Sequence, residues 1–344
     1  MARLADLVPS AARPAVKNIA AGLLCAAGVP AAARRRHRDR LAIVMFHGVV
    51  DQPLSPPCWH VLDLATFRRQ LEYLREHFTV MPLEEALKSL AAGTLPPRAL
   101  ALTFDDGTAN LASHAVPVLR ELGLPASVFL TTGPMGSDET LWPDRLWLAL
   151  ARTAAAAVDL TALGMGLRPL TTVAGRGTVY AVAVQRLKDV DDARRVTVLG
   201  EILGALGYRD GVDAGPFRML TWEQAREMAG DGLVTLYPHS VTHPILARCR
   251  DDKVEREIAD SCTALQRETG RAPTIFAYPN GRPQDFDARA RDALRGRGVR
   301  WALSTAPGFA GRDSDPLALP RLAVGSNTSF DYFRLMVSGG LPRR

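Results

Sequence analysis

Apolar residues come along this chain in short, β-leaning runs, each separated from the next by a stretch with helical spacing. "LAIVMFH" (41–47) reads as a first strand. In "ATFRRQLEYLREHF" (65–78), Phe67, Leu71 and Leu74 fall on one face, as in an amphipathic helix. "TVMP" follows as a second strand and "LEEALKSLAAG" as a helix stopped at Gly93. "RALALTFDDG" is a third strand, with the helix "SHAVPVLRELG" and the strand "ASVFLTTG" behind it. The rhythm resumes at "LVTLYPH" (233–239), the helix "DDKVEREIADSCTALQRETG", the strand "TIFAYPNG", the helix "DARARDALRGRG" and "VRWALST". Such alternation predicts an α/β fold of parallel strands with helical crossovers. About seven repeats favour a barrel over an open sheet.

One interval breaks the pattern. Residues 137–220 hold two helical stretches, "LWPDRLWLALARTAAAA" and "VYAVAVQRLKDVDDARRVTVLGEILGALG", around a Gly/Thr-rich middle. This predicts a helical insertion near one rim, either purely structural or forming a substrate-facing wall. The expected organisation is a helical, basic N-terminal segment over 1–40, a main domain over 41–330 containing that insertion, and a C-terminal tail over 331–344.

Charge and cysteine usage alter the picture only at the N-terminus. The formal net charge is +6, with "RRRHRDR" at 34–40 supplying part of it as a solvated surface. No nucleic-acid-binding motif accompanies it, so no nucleic-acid partner is expected. Cys25, Cys58, Cys249 and Cys262 form no CxxC pair, which argues against a zinc knuckle or a disulfide framework and fits reduced thiols in the cytoplasm. "NIAAGLLCAAGVPAAA" is shorter than the ~20 apolar residues of a spanning helix. Its end resembles a signal-peptidase site, but the arginines that follow resist translocation. Three expectations follow: an export signal, a peripheral membrane contact through residues 1–40, or a packing helix broken at Pro30. The cytoplasm or the cytoplasmic membrane face is the expected location, with export the alternative.

The polar clusters lie where a parallel α/β fold builds its sites. His47, Asp105–Asp106, His239 and Tyr278–Asn280 each end a predicted strand, and carboxyl ends share one rim. Adjacent aspartates at a buried strand end repel each other and lose hydration, so something must offset the cost. His239 and His243 lie in "YPHSVTHPIL", where Pro244 rules out one continuous helix and puts His243 at the start of the next one. Two histidines and a carboxylate make an open divalent-metal site. One aspartate can then bind the ion while its neighbour stays free as a base. Separately, DDG is also a common turn and HxxxH a common surface pattern; together on one rim they point to chemistry.

"TFDDG", "HSVTH" and "FAYPNG", in that order after "MFHGVV", resemble the polysaccharide deacetylases with the NodB homology domain, carbohydrate esterase family 4. The resemblance covers about residues 41–330. It implies a distorted (β/α)7-type barrel and a metal-dependent hydrolase removing N-acetyl groups from amino sugars of a bacterial surface or capsular polysaccharide, or of a lipid-linked precursor. By the same resemblance Asp105 is the base, and Asp106, His239 and His243 bind zinc or another divalent ion such as cobalt, nickel or manganese. The Asn280 backbone N–H would hold the oxyanion.

Some positions depart from that family pattern. Ala277 stands where many relatives carry an arginine that pairs with the base, and Arg282 or Arg321 could replace it. Arg321 occupies the place of the late histidine that serves as general acid, which leaves Asp105, His47 or water to supply the proton. His47 could equally only cap its strand. Tyr237 and Pro238 would narrow the site. Tyr278, Trp142 and Arg321 are the candidate substrate contacts, with Trp142 the expected wall of the insertion and Trp147, Trp222 and Trp301 expected mostly in the core. Other expectations are a different carbon–nitrogen hydrolase on this scaffold, or a non-catalytic glycan-binding protein.

Overall fold

The computed structural model describes residues 13–209, 211 and 214–341. Its strands are β1 (Ala42–Phe46), β2 (Gly48–Val50), β3 (Val61–Asp63), β4 (Thr79–Val80), β5 (Ala99–Phe104), β6 (Ala126–Leu130), β7 (Ala157–Asp159), β8 (Leu167–Pro169), β9 (Val234–Pro238), β10 (Ile275–Ala277), β11 (Trp301–Pro307) and β12 (Leu319–Ala323). The helices are α1 (Arg13–Ala26), α2 (Val29–Arg36), α3 (Leu64–His77), α4 (Leu83–Ala92), α5 (Val116–Leu122), α6 (Trp142–Arg152), α7 (Val173–Asp189), α8 (Asp192–Ala205), α9 (Trp222–Ala229), α10 (Asp251–Thr269), α11 (Ala288–Gly296) and α12 (Phe330–Ser338).

Parallel neighbours run in the order β10-β11-β12-β1-β5-β6-β9, with β4 added beside β5. This is the expected parallel barrel, almost closed. Between β9 and β10 a side chain spans the seam: His239, just past β9, meets the Ala277 carbonyl oxygen at 2.7 Å.

Period-two alternation divides the sheet into two packed faces. Ile43, Ala101, Phe129, Tyr237, Ala277 and Leu319 fill the interior, which α4 closes from below with Leu83, Leu87 and Leu90. Val44, Phe46, Leu100, Leu102, Phe104 and Val128 face outward beneath α3, α5, α9 and α12. Tyr237 belongs to the lower interior, where its hydroxyl donates to Glu84 Oε2 at 3.2 Å. It therefore does not narrow the rim.

The insertion has its own core. α6, α7, α8 and the β7–β8 hairpin pack around Leu146, Trp147, Val179, Leu199 and Phe217. Its exit segment runs back against the DDG turn, with Ala109 N donating to Arg218 O (2.7 Å) and Leu220 N to Gly107 O (2.9 Å).

At the termini, the stretch expected as a tail contains α12, whose Phe333 and Val337 enter the main core. Leu335 packs against Ala21 and Cys25 of α1. The break between α1 and α2 falls at residues 27–28, with a bend of 74°. Pro30 instead sits in the first turn of α2, where its missing N–H costs nothing. The opposite side of α1 exposes Ile19 and Leu23, and no single described helix is long and apolar enough to cross a membrane. Residues 1–12 and 342–344 lie outside the described residues. All four cysteines are free and buried.

Candidate active site

The interior alternation continues past the strand ends, and there it turns polar. Met45 leads to His47, Thr103 to Asp105, Tyr237 to His239 and Leu319 to Arg321; all four of these polar residues are buried. The β1–β5 register, running from Ala42↔Leu100 to Phe46↔Phe104, brings His47 level with Asp105. His47, Asp105 and His239 open on one cavity. The rim loops add Trp59, His60, Asp106, His243 and Asn280, β11 adds Thr305, and the insertion adds Leu141, Pro143, Asp144, Tyr180, Val184 and Lys188. A larger groove outside the barrel, beside Ser113, Arg120 and Gln224, contains none of the strand-end groups.

The DDG turn aims both carboxyl groups at this cavity. Asp106 has φ +76° and Gly107 φ +86°. A Cβ at Gly107 would lie 2.7 Å from Leu130 Cδ2, so the turn requires glycine. Asp105 is held by a fork of two hydrogen bonds from Arg321, Nη1 to Oδ1 and Nη2 to Oδ2, each 2.7 Å. Arg321 is 0 % exposed, and its Nε also donates to the Ser304 carbonyl oxygen. Burial pushes the Asp105 carboxyl up, but the Arg321 guanidinium and the neighbouring histidines outweigh it and hold Asp105 well below the usual carboxylate range. For Asp106, burial and then the charge of Asp144 push the carboxyl up to about 8. Its Oδ1 is buried without a hydrogen-bond partner.

The histidine loop is shaped by strain and braced from α10. Ser240 has φ +67° and His243 φ +56°, so His243 lies on a loop well before α10 rather than at a helix start. Glu257 of α10 accepts from Val241 N (2.9 Å) and Thr242 N (2.8 Å). The Trp142 indole donates to the His243 carbonyl oxygen at 3.0 Å. With Asp106 and Asn280 (φ +60°), this loop holds four of the five non-glycine residues at positive φ among the described residues. Such concentration of backbone strain marks a functional site.

These residues fit a divalent cation. A carbonyl oxygen can only accept, so the His239–Ala277 bond puts the proton on Nδ1 and leaves Nε2 as a bare lone pair. Burial holds both imidazoles below their ordinary value, in the neutral form that coordinates. Asp106 Oδ1 lies 3.4 Å from His243 Nε2 and 3.7 Å from His239 Nε2. One donor atom from each residue falls within 4.8 Å of the others. The orphaned carboxylate oxygen is what a cation would satisfy, and the two-histidine, one-carboxylate set suits zinc and its neighbours.

A family model described as polysaccharide deacetylase matches residues 92–302, more than half of the chain. The protein belongs to the polysaccharide deacetylase family. Among curated relatives, it is 30% identical over 123 residues to YxkH of Bacillus subtilis (strain 168), spanning 36% of this chain and 43% of that one. It is 33% identical over 72 residues to the poly-beta-1,6-N-acetyl-D-glucosamine N-deacetylase of Staphylococcus epidermidis, 21% of this chain and 25% of that one. The chain thus spans less than half the length of these relatives. Solved structures with the same fold include the Streptococcus pyogenes deacetylase PplD (TM-score 0.57, 18% identity, 87% of this chain and 99% of that one). IcaB from Ammonifex degensii is similar to the same degree (TM-score 0.57, 19% identity, 88% and 97%).

Within this family fold, three of the expected substrate contacts are corrected. Tyr278 is the outward neighbour of inward-facing Ala277; it stacks on Phe286 at 3.8 Å and donates its hydroxyl to Leu317 O. Trp142 is buried in the insertion and braces the His243 loop instead of facing substrate. Arg321 lies beneath Asp105, replacing the arginine absent at Ala277; Arg282 instead pairs with Asp285. His47 does reach the cavity, its Nδ1 buried and unpartnered, and burial lowers its pKa to about 3. Asn280 also lies there; its side-chain Nδ2 is unpartnered, and its backbone N–H has no acceptor among the described residues.

Some cavity residues escaped the sequence reading. His60 Nε2 meets Asp144 Oδ1 at 2.9 Å, tying the rim to the insertion. Burial pulls the His60 imidazole down, yet Cys58 and Asp144 together raise it well above its usual value. Trp59 is 43 % exposed at the mouth, edge-on to His47. The Pro-rich loop ending in "CWH" was the available signal, an exposed aromatic beside a histidine between two predicted elements.

Proposed function

We propose that this protein is a divalent-metal-dependent hydrolase that removes N-acetyl groups from amino sugars of a bacterial surface or capsular polysaccharide, or of a lipid-linked glycan precursor. The observation that carries it is a buried two-histidine, one-carboxylate cluster beside a second carboxylate that is kept ionised and free of the cluster. A divalent ion held by Asp106, His239 and His243, zinc first among the candidates, would polarise the acetamide carbonyl and acidify water.

The protein's own groups supply the proton handling. Asp105, locked in the Arg321 fork, accepts the proton of the attacking water as its oxygen bonds to the acetyl carbon. The unpaired Asn280 N–H donates to the oxygen that gains charge. When the carbon–nitrogen bond breaks, the amine takes up the proton that Asp105 received. His47, held neutral by burial and facing the same cavity, is the second route for it. Acetate and a free amino sugar result. Arg321 also weakens the non-catalytic reading, which rested partly on Ala277.

The name of the staphylococcal relative makes β-1,6-linked N-acetylglucosamine oligomers the first substrate to try. Metal-loaded protein incubated with these and other acetamido sugars should release acetate and free amine in equal amounts. A chelator should stop the release, and Asp105→Asn should slow it by roughly 10²–10⁴-fold. Failure to release acetate from any amide-bearing sugar would overturn the proposal.

A further inference from the structure

Helix α7 presents Tyr180, Val184 and Lys188 at four-residue spacing, and all three line the active-site cavity. The first two belong to the buried core of the insertion. Lys188 ends the row with an ammonium that makes no hydrogen bond and no ion pair with the described residues. A lysine stem could carry its charge out to solvent, as long basic side chains on surface helices do. Here the side chain is half-buried against the cavity wall, and burial first, then the nearby Arg282, lowers its pKa to about 8.

Each carboxylate that acts on Lys188 is engaged elsewhere or faces solvent. Asp285 is occupied by Arg282, Nε to Oδ2 at 2.9 Å and Nη2 to Oδ1 at 3.0 Å. Asp106 belongs to the histidine cluster, and Asp189 is solvent-exposed. Within the cavity Asp105 is matched by Arg321 and Asp144 by His60. Arg282, itself neutralised by Asp285, reaches α7 only at Gln185 Oε1 (3.5 Å). The insertion side of the cavity therefore carries one unpaired positive charge among the described residues, Lys188, and a half-desolvated ammonium without a partner favours a ligand that supplies one.

We propose that the site takes an amino sugar carrying an anionic oxygen group, a phosphate ester or a carboxylate, close to its acetamide, and that Lys188 pairs with that group and sets the preference. This deepens the reading of the site as a deacetylase centre and rests on it.

The test is calorimetric titration of the metal-loaded protein with N-acetylglucosamine 1-phosphate, N-acetylmuramic acid and neutral N-acetylglucosamine, with acetate release measured for each. One or both anionic sugars should bind at least tenfold more tightly than the neutral one, and which of them does so separates phosphate from carboxylate. Lys188→Met should bring the ratio to within about threefold, and Lys188→Arg should keep most of it. Equal binding of neutral and anionic sugars, or a ratio unchanged in Lys188→Met, overturns the inference. Acetate release without the preference defeats this inference alone. A Lys188-dependent preference without acetate release from any sugar upholds it and defeats the deacetylase reading instead.

Discussion

The barrel and the insertion build opposite walls of one cavity by different physical means. The barrel places its groups through strand register: a side chain two positions beyond an interior residue must also point inward. His47, Asp105, His239 and Arg321 are held this way, to within the tolerance of a hydrogen-bonded sheet. The insertion uses one helical face, on which Tyr180, Val184 and Lys188 follow each other a turn apart. Register fixes atoms well enough to move protons; a helix face packed on its own small core sets the shape and charge of a wall. Changes in the barrel should therefore act on turnover, and changes in the insertion on which sugar enters.

Arg321 should show the largest effect. Arg321→Met leaves a buried carboxylate without its partner, which costs about 3–5 kcal/mol of stability and abolishes turnover. Arg321→Lys should recover part of the stability, because a point charge replaces a fork. The sign of the pH dependence follows from the depressed Asp105 value. In the wild type, the ion pair contributes fully above the unfolded carboxylate value of about 4 and is lost as pH falls through the folded one. The deficit of Arg321→Met should thus be smallest below about pH 4 and grow as pH rises. Urea denaturation of both metal-free proteins across that range checks it; a deficit independent of pH would mean the fork is not ionic.

Most of the barrel was legible because its signals are local. Alternation and helical spacing gave the strands, and adjacency within "TFDDG" and "HSVTH" gave the chemical groups. What failed depended on tertiary context. β12 contains Pro320, which obscures a strand pattern, and its ladder with β11 is irregular at that point. Without β12, nothing showed that Arg321 points inward. Tyr278 was expected at the site because it adjoins a motif, yet its alternation with Ala277 turns it outward. Trp142 was expected to face substrate from the insertion, whereas it braces the His243 loop; an indole that braces a loop and one that faces a sugar look alike in sequence. The α7 wall was invisible for a related reason: its spacing is that of any buried helix face.

A smaller effect sharpens the comparison from the other side. Val184→Ala removes two methyl groups from the insertion wall without touching the strand ends. The lost contact is worth about 1 kcal/mol, so KM should rise roughly fivefold while kcat changes much less. Steady-state kinetics on an acetamido sugar oligomer would show it. A fall in kcat with KM constant would mean that the insertion also positions the reacting groups, and the division of labour would be wrong.

The division of roles between the adjacent aspartates is most directly tested by metal content. Mass spectrometry of purified, zinc-reconstituted protein should find one ion per chain in the wild type and in Asp105→Asn, and little in Asp106→Asn or His239→Ala. Retention of the ion by Asp106→Asn together with its loss from Asp105→Asn would reverse the assignment and contradict the account.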